Sequence, residues 1–409
     1  MTDSRRVVYA VIACTFFVGF GGGVVFPILP NLGAVLGISP FLVGLILSAN
    51  RITRLVANAP AGALVDRAGT RTPFVVGLFV EGVATLGYVV AVTAPLPEVW
   101  FLLSRVCWGV GSALVFATAY TITADVSDAG SRGTSMGVVR AGITFGFPAG
   151  LVLGGVVSEA ASVAAAFVLA AGFALFASVL AYRIVPETHV DADDAGDDSI
   201  KPWEIDPSIS TLTVGLVNFG LFFAYVGALF STLVLFLEAR SFGLFGFDAQ
   251  GTSGALMAVT VLSGSVAMLA GGTLSDRHGY RVPIVLGSLA VSGVGFLLLP
   301  TPGGVGGLVA ACVLIGAGQG GTTGPMMALI ADLTPDERMG RAMGTNNVLG
   351  DVGGALGPLV SLPLVETVGF APVYVACALI PVVAGVVLVV GVRAETGAIN
   401  PSLDSRAGD

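Results

Sequence analysis

The sequence predicts an all-α membrane protein of twelve transmembrane helices in two six-helix, pseudo-symmetric bundles, and three observations predict it. Of the 409 residues, 55% are hydrophobic and 11% charged, and mean hydropathy is +0.93. Water cannot solvate such a surface on a chain of this size. The apolar runs continue for about twenty residues without alternating, which is the length of a bilayer-crossing helix and the wrong period for a barrel strand. Finally, GALVDRAGTR at Gly62–Arg71 returns as GTLSDRHGYR at Gly272–Arg281. The offset is half the chain, so each copy marks the same point in two equivalent halves.

In chain order, helices are predicted over 7–29, 41–63, 73–94, 99–123, 133–156 and 163–184. After a break they resume over 209–237, 252–274, 282–300, 305–330, 342–365 and 371–392. The first run follows Arg5 and Arg6 but is too long for a cleavable leader and lacks a small-x-small cleavage site, so it is expected to remain as a span. Gly21 to Gly23 and Pro27 make it a place for bending. The repeated motif separates the second helix from the third and the eighth from the ninth. The fifth carries Gly142, Gly146, Gly150 and Gly154 at every fourth position with Pro148 among them, a face for close helix packing.

Thirteen of the eighteen Lys and Arg residues fall on one side of these spans: Arg5, Arg6, Arg67, Arg71, Arg132, Arg183, Lys201, Arg277, Arg281, Arg338, Arg341, Arg393 and Arg406. The other side holds Arg240. Cytoplasmic loops retain positive charge, so a multi-pass protein of the plasma membrane is predicted, with both termini and the motif in the cytoplasm. Residues 185–208 carry eight carboxylates, from Glu187 to Asp206, against Lys201, and hold seven of the eight net negative charges. This stretch reads as a solvated acidic linker. The predicted organisation is a six-helix bundle over 1–184, the linker over 185–208, a second bundle over 209–393 and a cytoplasmic tail over 394–409.

An enzyme is not expected. His189 and His278 fall in the linker and a loop, and the sequence has no phosphate-binding loop, metal cluster or nucleophile–base set. Cys14, Cys107, Cys312 and Cys377 lie in apolar segments without ligand spacing and read as small packing residues. No cofactor, metal or nucleic-acid partner is expected; the partner that composition implies is the lipid bilayer.

Leaving aside Arg183 at the very end of the sixth span, six charges fall inside predicted spans: Arg51, Arg54, Glu81, Arg105, Arg140 and Asp351. A buried charge in a span is costly and marks a functional site by default. Arg54 lies nine residues before Ala63, Glu81 nine beyond Thr72 and Asp351 nine after Ala342, each about 13 Å from the cytoplasmic edge at 1.5 Å per residue. Arg51, Arg54 and Asn58 share one helix face, as do Asn347, Asp351 and Gly354. Arg105 is about 9 Å inside the predicted outer end of the fourth helix, so it is either a buried functional cation or one that snorkels to the interface.

Two six-helix halves in one orientation, joined by a linker, form a parallel repeat about the membrane normal. With both motif loops matching Gly-x-x-x-Asp-Arg-x-Gly-x-Arg, the chain resembles the major facilitator superfamily over nearly its whole length. The resemblance implies alternating access, in which the motif holds the two halves together on the cytoplasmic side. Its residues here are Gly62, Asp66, Arg67, Gly69 and Arg71, with Gly272, Asp276, Arg277, Gly279 and Arg281 in the second copy. Asp66 would face a helix N-terminus and the arginines would pair with carboxylates such as Asp125 and Asp332. Read from charge alone, Arg67 and Arg71 are topology signals.

In the family's fold the second and eleventh helices meet, which makes an Arg54–Asp351 contact reasonable. Asp351 and Glu81 are then expected to compete for Arg51 and Arg54, and protonation of one carboxyl to loosen the contact. A permanently ionised structural network is the alternative. Arg105 with Gly109 and Gly111 resembles the family's Arg-x-x-x-Gly-x-Gly pattern, implicated in proton coupling, with Trp108 standing where a polar residue is common.

The glycine–proline face of the fifth helix is similar to the signature of proton-driven drug exporters, from which Phe147 departs; GGALGP at Gly353–Pro358 occupies the matching place in the eleventh. The family's cavity is lined by the first, fourth, seventh and tenth helices, which here supply Phe16, Phe17, Phe20, Tyr120, Asn218, Phe222, Tyr225 and Gln319. A lining of this kind suits a lipophilic compound better than a sugar. Arg140 is a candidate contact for an anionic substrate. The expected function is proton-coupled antiport, or efflux, of small lipophilic compounds. An importer or uniporter of a small metabolite is one alternative; a non-coupled scramblase or a transporter-like receptor is another.

Overall fold

The structure, a computed structural model, describes residues 3–126, 132–188, 205–244 and 246–398. The α-helices are α1 (Asp3–Val24), α2 (Leu29–Leu36), α3 (Pro40–Ala68), α4 (Arg71–Thr93), α5 (Pro97–Val126), α6 (Arg132–Ala160), α7 (Val163–Ile184) and α8 (Ile209–Phe222). They continue as α9 (Phe230–Ala239), α10 (Ala249–His278), α11 (Arg281–Leu298), α12 (Gly304–Leu333), α13 (Met339–Val368) and α14 (Phe370–Thr396). Among the described residues, twelve helical spans are long and apolar enough to cross a membrane. They follow the predicted order one for one.

Local chemistry sets the helix ends. Ser39, Ser162 and Ser208 cap α3, α7 and α8, each hydroxyl accepting from the backbone N–H three residues on. Gly69 (φ +80°) and Gly279 (φ +68°) make the two motif turns, a conformation that a β-carbon disfavours.

Three features differ from the sequence reading. The first helix stops at Val24, turns through residues 25–28 and resumes as the short α2, because Pro27 lacks the N–H that would continue the ladder. The seventh span is continuous but contains a π-helical stretch, Phe223–Leu229, between α8 and α9. Helix α3 runs to Ala68, five residues beyond its predicted end.

The chain forms two compact units. One contains α1 to α7 together with Leu233–Ala258; the other contains residues 205–232 and the chain from Val259 onward. In the first, α1 packs on α6 and α7, and α4 on α5 and α7. In the second, α8 packs on α13 and α14, and α11 on α12 and α14. The pairing repeats element by element, as the sequence repeat requires.

The glycine face of α6 lies against α1. A β-carbon on Gly142, Gly146, Gly150 or Gly154 would overlap backbone atoms of Ile12, Phe16, Phe20 or Val24. Gly353 and Gly357 on α13 meet Phe219, Phe223 and Gly227 in the same way. Such backbone approach replaces a hydrophobic driving force, which lipid does not supply. Each unit has its own apolar core, around Val11, Phe74, Leu78, Trp108 and Ile122 in the first and Val217, Val285, Leu329 and Leu388 in the second. Cys14, Cys312 and Cys377 are buried; Cys107, read as a packing residue, is exposed.

Candidate functional site

The strongest concentration of buried polarity lies where α3, α4 and α5 meet. Gly109 seats α5 against Asn50 and Thr53 of α3, and Gly111 seats it against Glu81 of α4. Arg105, 2% exposed, turns inward from α5. Its Nε donates to Ile46 O (3.2 Å) and its Nη2 to Leu47 O (3.0 Å) and Asn50 Oδ1 (2.7 Å). The guanidinium also lies 5.8 Å from the centre of the Trp108 ring. This removes the snorkelling alternative, because its donors are spent on α3 carbonyls rather than on the interface. Trp108, the departure from the family pattern, covers the cation with a π-face.

Glu81 is 1% exposed, and neither carboxylate oxygen has a hydrogen-bond partner. The Arg54 charge acts on it across the α3–α4 contact. Arg54 itself lies over the Phe116 ring of α5, 5.5 Å from its centre. Tyr88, two turns along α4 from Glu81, is buried between Phe101 and Phe167. Its buried hydroxyl sits in the field of Arg105. A buried carboxylate with no hydrogen bond is expensive. Arg54, Glu81 and Asp351 lie about 21, 15 and 18 Å along their own helices from the motif-side ends of α3, α4 and α13. These depths exceed the predicted 13 Å because α3, α4 and α13 each extend beyond their predicted motif-side ends. Arg51, Arg54 and Asp351 are half-buried, and Arg140 is exposed on α6.

The two motif copies are built differently. In the first, Arg71 Nη2 donates to Tyr182 O at 2.7 Å and the guanidinium stacks on the Tyr182 ring, 5.1 Å from its centre. Asp125, the suggested partner, is exposed and does not pair with it. Glu187 sits instead over the start of α4, accepting from Thr70 N–H (2.7 Å), Thr70 Oγ1 (3.1 Å) and Arg71 N–H (3.3 Å). In the second, Arg281 donates to Asp276 (2.6 Å), Asp332 (3.1 Å) and Ser275 Oγ (2.9 Å). Arg67 and Arg277 are exposed, and a β-carbon on Gly62 or Gly272 would meet nothing within 4 Å. The side chain of Asp66 lies outside the described residues.

The linker reading needs amendment at both ends. Glu187 is held at α4, and Asp206, 2% exposed, accepts from Ser208 N–H and Thr211 Oγ1 at the start of α8. Both supply a negative group to helix N–H groups that lack a partner inside the helix. The remaining linker carboxylates, and His189, lie outside the described residues.

The cavity candidates are divided. Phe20 is 1% exposed and packs on Phe173, with Phe17 stacked beside it. Phe16 and Tyr120 are half-buried. In the second unit, Tyr225 lies in the π-helical stretch against Phe230, and Asn218 Nδ2 donates to Asn346 O at 3.0 Å. Gln319 Oε1 and both polar atoms of the Asn346 amide are buried without partners. Asn346 and Tyr88 carry no signal in the sequence, where each lies in an ordinary helical run without a charge to flag it. An apolar cleft of about 390 Å³ lies between α8 and α14, lined by Leu216, Phe219, Phe223, Leu379, Ile380 and Val383. Among the described residues no group of three His, Cys, Asp or Glu is placed to hold a metal ion.

Residues 11–358 and 247–406 match the sequence profile of the Major Facilitator Superfamily. The chain belongs to that family. It is therefore a multi-pass membrane transporter, not an enzyme. This superfamily chain is 24% identical over 388 residues to an uncharacterized MFS-type transporter of Methanocaldococcus jannaschii, covering 95% of this chain and 98% of the relative. It is 24% identical over 393 residues to the quinolone resistance protein NorA of Staphylococcus aureus, covering 91% and 93%. Its fold matches the crystal structure of a bacterial homolog of the human lysosomal transporter Spinster, in an inward-facing and occupied conformation. The TM-score is 0.82 at 14% identity over 98% of this chain and 99% of that one.

Proposed function

We propose that this superfamily member is a secondary active transporter working by alternating access, an antiporter that exports small lipophilic compounds in exchange for protons. The observation that carries the reading is Glu81, buried on α4 in the field of Arg54 with no hydrogen bond to hold its charge. A carboxyl so placed is suited to bind and release a proton as its surroundings change. Asp351 is the proposed competitor for Arg51 and Arg54, and Arg105, bonded to Ile46, Leu47 and Asn50, supplies a fixed charge on α5. The motif residues gate the two six-helix halves, 1–184 and 209–393, with both termini in the cytoplasm. The glycine face of α6, the aromatic residues of the first and seventh spans and the likeness to a quinolone resistance protein support export of lipophilic molecules.

A second reading, import of a small polar metabolite, is favoured by one observation. Gln319 and Asn346 hold unused buried hydrogen-bonding capacity, which a lipophilic substrate leaves unsatisfied.

The test is the internal pH of proteoliposomes carrying the purified protein, read with a trapped dye under an imposed proton gradient. Lipophilic cations, organic anions, sugars and nucleosides are added in turn. Proton movement triggered by lipophilic compounds and lost in Glu81→Gln or Asp351→Asn is the expected result. A response to polar metabolites alone selects the second reading. Equilibration of labelled compounds without proton movement overturns coupling.

A further inference from the structure

At the end of the first unit remote from the Gly69 turn, α6 and α10 are joined by a carboxylate. Glu159, in the last turn of α6, accepts from the backbone N–H of Asp248 (2.6 Å) and of Gly251 (3.0 Å). These belong to the start of α10, where backbone N–H groups have no partner within the helix. A negative group there also meets the positive pole of the helix. Ser158 Oγ, one residue away, donates to Gln250 Oε1 at 3.0 Å. Gly155 and Gly254 let the two backbones touch: a β-carbon on either would overlap the carbonyl of Gln250 or of Leu151.

The division of the chain singles out the same segment. Leu233–Ala258, which comprises most of α9, the turn after it and the first turns of α10, clusters with α1 to α7. The flanking parts of the seventh and eighth spans belong to the other unit. The π-helical stretch ends at Leu229, four residues before that boundary. An insertion of this kind is where a helix changes its ladder and bends.

We propose that Glu159 is a latch that docks the α9–α10 hairpin onto α6, and that the hairpin moves on the π-helical stretch when the latch opens. Glu159 is a positioning residue; it acts on the start of α10 and touches no substrate. The inference rests on the alternating-access reading, since a latch matters only where a cycle must break it.

Ser253, fully buried in the first turns of α10, supplies a reporter. Ser253→Cys is nearly isosteric, and its thiol is reached by a membrane-impermeant maleimide only when the hairpin lifts. In proteoliposomes, with the rate corrected for the four native cysteines, Glu159→Ala is expected to raise labelling about tenfold, the equivalent of about 1.4 kcal/mol. Glu159→Gln keeps an acceptor oxygen but loses the charge, and gives a smaller rise. Gly251→Ala acts from the other side, because its β-carbon would press on Glu159 Oε2 and the Phe247 ring; it also speeds labelling. If Glu159→Ala does not yield folded protein, Glu159→Gln and Gly251→Ala carry the test. Labelling unchanged in every folded variant overturns the latch. The readout needs no substrate, so failure of the transport reading, seen as no gradient-driven movement in the unaltered protein, is a separate result.

Discussion

Arg105 Nη2 donates to Asn50 Oδ1 at 2.7 Å, the one side-chain acceptor among the three hydrogen bonds described for this buried cation. The other two acceptors are carbonyls of Ile46 and Leu47, so α5 is tied to a single turn of α3. No carboxylate among the described residues forms an ion pair with Arg105. The site therefore tolerates the charge through hydrogen bonds and the Trp108 face rather than through charge neutralisation.

Removing the amide should cost about 1–3 kcal/mol, the penalty of a buried donor left without its partner. Asn50→Ala is expected to lower the thermal midpoint of the detergent-solubilised protein by several degrees. Arg105→Lys should fare no better, because an ammonium lacks the planar fork that spans these acceptors. An Asn50→Ala protein with unchanged midpoint would show that the guanidinium is satisfied by the carbonyls alone.

Glu81 makes no hydrogen bond that an amide would lose. Glu81→Gln should therefore fold with equal or higher stability while losing substrate-triggered proton movement. Thermal scans and proteoliposome pH traces on the same preparation separate these effects. Retained proton movement in both Glu81→Gln and Asp351→Asn would make the intramembrane charges structural.

Two glycines should respond in opposite ways to a methyl group. Gly146→Ala drives a β-carbon into Phe16 O, and overpacking of this kind costs about 1–3 kcal/mol. Gly62→Ala meets nothing within 4 Å, and in a helix interior it should stabilise by up to about 1 kcal/mol. Loss of transport in a well-folded Gly62→Ala would mean that this motif glycine is needed by another conformation of the cycle. Loss of folding would contradict the open space seen here.

Glu187 caps α4 from the far side of the first bundle's sequence. Glu187→Ala should destabilise by about 0.5–2 kcal/mol, as removal of an N-terminal cap does, and expose the motif turn at Gly69 to proteolysis. Asp332→Asn, by contrast, weakens a partly exposed Arg281 pair and should cost under about 1 kcal/mol. Equal stability of Glu187→Ala and the unaltered protein in thermal and proteolysis assays would mean that solvent replaces the carboxylate.

Much of this architecture is legible in one dimension. Twelve spans follow from apolar run length, because a backbone in lipid has few ways to satisfy its hydrogen bonds. The twofold plan follows from Gly62–Arg71 and Gly272–Arg281, and the positions of the intramembrane charges follow from their rarity in such runs. The contact of the α6 glycines with another helix follows from their four-residue spacing, although that spacing does not name α1 as the partner.

Partner choice and direction belong to the tertiary structure. Nothing local distinguishes a snorkelling Arg105 from one bonded to Ile46, Leu47 and Asn50, because the acceptors lie more than fifty residues away. Glu187 reads as one of eight linker carboxylates until the turn at Gly69 is brought beneath it. The π-helical stretch at Phe223–Leu229 leaves no periodic trace, and neither does the docking of Glu159 on α10, which joins segments remote in sequence. Hydrophobic length and rare charges are properties of a segment and survive in the sequence; which donor meets which acceptor is a property of helix pairs, and only the folded chain decides it.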